Sequence, residues 1–267
     1  IFKMNTGRRT FLQTLGMGLG GVFLGNSLES LAGEGKEKIV VDTFVHKIVG
    51  DTLSNYFYTG KNRGLWAPIT HKVRDFYSNH FDLEIALQNE ATVDKKKLGK
   101  NHLAVEYTTL PDMLDNTRDV LYAFGGQEIM DELESEIKRA QKSEGWDYET
   151  AQTMIFKNVK KGVSAQFSGE GGFGSSIAHR AWIFPSKVHD QAKNNEELTN
   201  AYAFLMSHEI GHTLGLAHPQ GRGTFSQYGE RNIMNSVPEL RNVFSFNFEI
   251  HSNQVQQIKE YLGQGAK

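Results

Sequence analysis

From Lys38 to Val49 the run Ile39-Val40-Val41-Asp42-Thr43-Phe44-Val45-His46-Lys47-Ile48 is β-branched and partly alternates between apolar and polar, which predicts a strand with His46 as a sheet residue and not a ligand. Gly60 to Gly64 punctuate a loop. Pro68 then suits a first helical turn, and Ile69, Val73, Phe76, Tyr77 and His80 recur at helical spacing, predicting a helix over 68–79. Leu83 to Gln88 and His102 to Thr108 read as strands on either side of a lysine-rich turn, and Val120 to Phe124 as a further short strand. Four-residue steps at Ile129, Leu133 and Ile137 predict a helix from Gln127 to Gln141. Ala151, Met154, Ile155 and Val159 predict another from Tyr148 to Lys160. Val163 to Phe167 and Ala181 to Pro185 read as two strands bracketing a mobile glycine loop, Gly169 to Gly174. No Gly-Lys-Ser/Thr ending follows that loop, so a rim or edge-strand role is expected of it and not a phosphate cradle.

A longer helix follows. Asn194 is placed to cap its free amides with Glu197 at the capping-box position, and Leu198, Ala201, Tyr202 and Leu205 give an inward face that continues into His208 and His212. Beyond it the chain passes through Gly221, Gly223 and Gly229, and a last helix is predicted from Asn253 to Leu262. Strands and helices follow one another without an internal repeat, which places the chain in the α+β class.

The longer helix carries the chemistry. Residues His208-Glu209-Ile210-Gly211-His212-Thr213-Leu214-Gly215-Leu216-Ala217-His218 read H-E-x-x-H-x-x-G-x-x-H. On a helix His208 and His212 stand one turn apart on one face, so both imidazoles reach a single ion. Glu209 lies about 100° further round the helix, where its carboxylate faces a metal-bound water and not the metal. His218 returns to the same ion only if the helix ends. Gly215 supplies that break, because glycine adopts the left-handed conformation without steric cost. With the chain's 10 histidines and 27 glycines, chance produces the five fixed positions on the order of once in ten thousand such chains.

Composition narrows the chemistry further. A hydrophobic fraction of 39% with 11% aromatics indicates a folded domain, and a net charge of -2 points neither to nucleic acid nor to an acidic membrane as partner. The lysine run 95–97 and the mixed charges from Glu132 to Arg139 read as solvated faces. With no cysteine, disulfides and thiolate ligands are excluded, so any zinc is held by histidine, carboxylate and water. A propeptide cysteine capping the metal is excluded with them.

At the N-terminus Met4 is a candidate start. The pair Arg8-Arg9 before Phe11-Leu12, the glycine-rich apolar run from Thr14 to Gly25 and the small residues at Ser30 and Ala32 match a secretory signal of twin-arginine type over 1–32. The run is too short and glycine-rich for a spanning helix. Cleavage after Ala32 predicts an exported protein, periplasmic or secreted by a bacterium, with no stable membrane anchor.

The eleven-residue motif, followed by Ile233-Met234 in a predicted tight turn, resembles the metzincin superfamily of zinc peptidases. Pro219 directly after the third histidine is similar to the serralysin branch. That branch and the astacins often carry a Tyr two residues after the Met, where this chain has Ser236, and the glycine- and aspartate-rich calcium repeats of serralysins are absent. The resemblance implies a zincin-like α+β fold over 33–267. Its upper lobe, about 38–215, holds a twisted mixed sheet, helices and the metal helix; its small irregular lower lobe, about 216–267, ends in a helix. It implies one catalytic zinc ion on His208, His212 and His218, Glu209 as general base, Met234 as support beneath the metal site and Gly215 at the lobe boundary. The activity implied is that of a monomeric endopeptidase acting on protein or peptide substrates through a metal-activated water. Two alternatives remain from the residues alone: a non-catalytic zinc-binding or interaction protein on the same scaffold, and a zinc amidase acting on cell-wall peptides. A serine or cysteine hydrolase is a poor competitor, with no G-x-S-x-G elbow and no cysteine.

Overall fold

The computed structural model describes residues 36–45, 65–88, 93–167, 171–184, 191–220, 226–236 and 238–263. The signal-like segment 1–32, His46, the loop from Gly60 to Gly64, Gly169, Pro185, Gly221 and Gly223 lie outside the described residues. In chain order the elements are β1 (Glu37–Val45), α1 (Trp66–Tyr77), β2 (Phe81–Leu87), β3 (His102–Tyr107), α2 (Leu110–Asp115), α3 (Thr117–Glu144), α4 (Tyr148–Phe167), β4 (Gly172–Ser175), β5 (Arg180–Ile183), α5 (Asn195–Thr213), α6 (Leu240–Ser245) and α7 (Ser252–Gly263). They fall into two compact units, one containing α2, α3 and α4, the other containing the sheet and the remaining helices.

The sheet is five-stranded and mixed, in the order β2-β1-β3-β5-β4. The first four strands run parallel, and β4 pairs antiparallel with β5 at one edge, Phe173 opposite Trp182. One face is apolar: Ile39, Val41, Leu103, Val105, Tyr107, Ala181 and Ile183 join one core with residues of α1 and α5. Helix α1 contributes Ile69, Val73 and Tyr77 at the spacing read from the sequence. The Tyr77 hydroxyl donates to the Ser207 carbonyl at 2.8 Å, tying α1 to α5 one residue before the first motif histidine. The Tyr107 and Tyr202 rings meet edge to face at 5.9 Å, joining α5 to the sheet.

Helix α5 is buried almost all round, from Leu198 to Gly211 without an exposed residue. A helix enclosed on every side belongs to the core and not to the surface, so its position is set by packing along its whole length. Its start follows the capping pattern with one difference. Asn194 Oδ1 accepts from the amides of Glu196 and Glu197 at 3.0 and 2.9 Å, while Glu197 reaches past the cap to the amide of Lys193 at 2.8 Å. Among the described residues no helix is long and apolar enough to cross a membrane.

In the helical unit, Ile129, Leu133, Ile137 and Ala140 of α3 are buried with Ala151, Ile155, Val159 and Val163 of α4. Gly145, at φ +70°, ends α3 in the left-handed region. Two strand expectations are overturned here. Val120 to Phe124 belong to the first segment of α3, a helical stretch from Thr117 that is interrupted by non-helical backbone at Gly125 and Gly126, φ -152° and +61°, before a second segment runs to Glu144. Val163 to Phe167 are the last turn of α4, where Val163 continues the buried positions of Ile155 and Val159 at four-residue steps. The short run of apolar residues fits either period, and helical continuity decided it.

The glycine-rich stretch takes the edge-strand role expected of it and corrects only the reading as a mobile loop. Its described part is not a loop between strands but strand β4 itself, Gly172-Phe173-Gly174-Ser175. Helices α2 and α6 were not anticipated; each is six residues long, too short to show a period.

Candidate active site

Helix α5 presents His208 and His212 one turn apart, and the chain after it returns His218 to them. The three Nε2 atoms form a nearly equilateral triangle, 3.1 Å from His218 to each of the others and 3.2 Å between His208 and His212. Among the described residues this is the one group of three or more histidine, aspartate or glutamate ligands close enough to share an ion.

The return of His218 depends on how α5 ends. Gly215 sits at φ +86°. The Leu216 amide donates to the Gly211 carbonyl at 2.9 Å and the Gly215 amide to the His212 carbonyl at 3.0 Å, the paired bonds of a Schellman turn. This turn also orients a ligand, because His212 Nδ1 donates to the Leu216 carbonyl at 2.8 Å. The first histidine is fixed from the other side of the sequence, His208 Nδ1 donating to the Ile233 carbonyl at 2.7 Å. A carbonyl only accepts, so Nδ1 carries the proton in both rings and each Nε2 lone pair points into the triangle.

Bare lone pairs at this separation repel unless a cation lies between them. Three nitrogens on a tetrahedral zinc, at the usual 2.0–2.1 Å bond length, would stand about 3.3–3.4 Å apart, close to the spacing here. Burial supports the same donor state. It lowers His208 to a pKa of about 4, with the neighbouring His218 adding to the fall, and it lowers His212 well below the ordinary imidazole value and His218 in the same direction. Neutral imidazoles in this arrangement suit a first-row ion such as zinc.

Ile233 and Met234 are held by a buried amide pair. Asn232 Nδ2 donates to Gln254 Oε1 at 2.6 Å, Gln254 Nε2 returns a bond to Asn232 Oδ1 at 3.2 Å, and the Met234 amide donates to the same Oδ1 at 3.0 Å. The Ile233 amide donates to the Glu249 carbonyl at 3.0 Å. Met234 is wholly buried, and a Cβ added at Gly211 would overlap its Sδ. The methionine therefore packs against the bare patch of α5 at Gly211, immediately before His212. Ser236 is exposed, and Tyr228 stacks on His251 at 4.7 Å.

Glu209 is buried, 4% exposed, on the side of α5 that faces β4. Gly172 and Gly174 alternate along β4 so that both direct their missing side chains at the helix. A Cβ at Gly172 would stand 2.6 Å from Glu209 Oε1 and 2.8 Å from the Trp182 carbonyl oxygen. One at Gly174 would overlap the Glu209 carbonyl and stand 2.8 Å from His212 Cβ. The period-two glycines were the available signal for this contact. The Asn232 and Gln254 amides carried none, since they are 22 residues apart and neither lies in a motif.

No protein-family profile and no curated protein matches the chain. Among solved structures, an archaemetzincin from Methanopyrus kandleri is 10% identical, with a TM-score of 0.42 over 87% of this chain and 99% of that one. A zinc-dependent peptidase from Methanocorpusculum labreanum is 11% identical, with a TM-score of 0.39 over 82% of this chain and 99% of that one.

Proposed function

We propose that this chain is a zinc-dependent metallopeptidase of metzincin type that hydrolyses internal peptide bonds. The observation that carries the reading is the triangle of Nε2 atoms, 3.1–3.2 Å apart, with two of the rings locked as donors at Nδ1 by backbone carbonyls. His208, His212 and His218 would hold the ion. Three protein ligands are the number found in catalytic zinc sites, which keep a position open for water, and bound zinc acidifies that water and polarises a carbonyl.

Glu209 is the general base in this reading. Its carboxylate is buried under Gly172 of β4, the strand whose Gly174 lies against His212, which supports a role in taking a proton and later returning it to the leaving amine. A purely structural or binding site has no use for that acid. Among the described residues strand β4 has a strand neighbour on one side only, which supports binding an extended substrate by adding a strand along the other side. The twin-arginine-like segment 1–32 supports export of the enzyme, and the weak net charge supports a peptide and not a nucleic acid as partner.

The test is zinc content by mass spectrometry, together with cleavage of casein and a peptide library, on the wild-type chain and Glu209→Gln. The expected result is about one zinc per chain in both and a loss of cleavage of about 10²-fold or more in the variant. Equal cleavage in the variant removes Glu209 as base. Zinc-loaded wild type inert toward diverse peptides refutes the endopeptidase, and release of cell-wall peptides by that same protein would assign the amidase activity instead.

A further inference from the structure

On the side of β4 that faces α5, Gly172 and Gly174 carry no side chain, so that side packs on the helix through backbone alone. Its other side carries Phe173, 8% exposed, whose ring stacks on Trp182 of β5 at 5.6 Å between centroids and 3° between planes. The Arg180 guanidinium lies over Trp182, 4.8 Å from the ring centroid. Arg180 is itself paired with Glu106 of β3, and both side chains are buried, at 9% and 2% exposure. Glu106, Arg180, Trp182 and Phe173 thus form one continuous column across three adjacent strands, from β3 through β5 to the edge strand. A buried ion pair is weak evidence of stability in its own right, and its best-attested use is to specify one arrangement over others. Flat stacking and a cation over a ring are directional in the same way.

We infer that the Glu106–Arg180–Trp182–Phe173 column is a positioning device. It holds β4 in one register and one tilt, so that Gly172 and Gly174 lie flush on α5 and set the Glu209 carboxylate and the His212 ring in place. Within the column, Phe173 is a positioning residue for the site and not a catalytic one. The alternation of the strand makes the link obligatory: Phe173 stands between the two glycines and points the opposite way, so a tilt that moves its ring moves both bare positions against the helix. Gly174 meets backbone of Glu209 and Cβ of His212, neither of which yields by rotating a side chain, so displacement of β4 passes directly to His212. The inference rests on the metallopeptidase reading for its consequence, but not for the geometry it invokes.

The test uses the full chain with Phe173→Ala, which deletes the stack, Phe173→Tyr, which keeps it, and Val159→Ala in α4 as a control for lost stability alone. Two quantities are read. One is the proton resonance of the His212 Nδ1–H that bonds to the Leu216 carbonyl, in metal-free protein. The other is the zinc dissociation constant by competition with a chromogenic chelator. Phe173→Ala is expected to shift or broaden the resonance and weaken zinc binding about tenfold, the lower end for loss of a group that orients a metal ligand. Phe173→Tyr is expected to restore both to within about twofold of wild type, and Val159→Ala to lower the unfolding temperature with neither readout changed. A wild-type resonance and wild-type zinc affinity in Phe173→Ala overturn the inference, as does an equal change in Val159→Ala. Should Phe173→Ala fail to fold, Phe173→Leu, which keeps the burial but not the flat stack, is judged by the same two results. Wild-type protein that binds no zinc, or binds zinc and cleaves nothing, sinks the metallopeptidase reading, and the ring-proton comparison still decides the positioning claim.

Discussion

Replacing Gly215 by alanine tests how the end of α5 is coupled to the metal site. Gly215 occupies φ +86°, where an L residue pays about 1–2 kcal/mol. The loss of unfolded-state freedom on going from glycine to alanine returns about 0.4–1 kcal/mol. The new methyl group would stand 3.3–3.4 Å from the Tyr261 ring. That ring is not free to swing away, because the Tyr261 hydroxyl donates to the Ser176 carbonyl and is paired with His179 Nδ1, both at 2.9 Å. Disturbing one of these bonds adds about 1 kcal/mol. The net cost is about 1–2 kcal/mol, or an unfolding temperature lower by about 2–4 °C for a chain of this size.

Gly145 supplies the matched control. It is also left-handed, at φ +70°, at the end of a helix, but a Cβ there meets nothing within 4 Å. Gly145→Ala is expected to cost under about 1 kcal/mol and to leave zinc affinity unchanged. Gly215→Ala is expected to weaken zinc about tenfold as well, because the turn that strains is the one whose Leu216 carbonyl orients His212. Denaturant unfolding of the metal-free variants and chelator competition give both numbers. Equal stability losses in the two variants, or full zinc affinity in Gly215→Ala, would refute the coupling of turn to ligand.

Two further outcomes follow from the geometry. Asn232→Ala leaves the buried Gln254 Nε2 without its Asn232 partner, while Gln254 Oε1 keeps the His251 amide, and frees the Met234 amide; it is expected to cost about 1–3 kcal/mol in urea unfolding, and a loss below about 0.5 kcal/mol would show that this pair does not hold the turn that carries the Ile233 carbonyl bonded to His208. The metal-free protein should also lose stability in acid. His208 is depressed from 6.5 to about 4 in the fold, so the folded state binds fewer protons than the unfolded one below pH 6.5. The stability is complete above that value and falls as pH drops toward 4, by about 3 kcal/mol for this group alone. Metal-free His208→Asn should lack that part of the decline, and identical profiles for the two proteins between about pH 7 and pH 4 would refute it.

Much of the molecule was legible before folding. The strands at 37–45, 81–87 and 102–107 and the helices at 66–77, 195–213 and 252–263 all fall within a few residues of their expected places; α1 and β2 bury one face and so show a clear period, whereas α5, buried almost all round, was placed by its cap and by the motif it carries. The histidine triangle was legible for a related reason: helical pitch brings His208 and His212 together, and Gly215 announces the turn. The strand expectations at 120–124 and 163–167 went the other way. A five-residue apolar run fits a strand or a helical turn equally, and the helices around it, 117–144 and 148–167, absorbed it.

The sequence by itself determined the donors, their spacing and the place where the helix must end, since these depend only on local backbone geometry and on which side chains carry nitrogen. Tertiary structure decided which nitrogen of each ring points inward, because that choice rests on carbonyls the fold brings up: Ile233, 25 residues from His208, and Leu216, beyond a turn that had first to close. It also made an edge strand of a stretch that local composition reads as loop. Glycine disfavours a strand on its own, but at Gly172 and Gly174 the absence of a side chain is what allows the strand to lie against Glu209 and His212. That requirement arises only once the helix is in place.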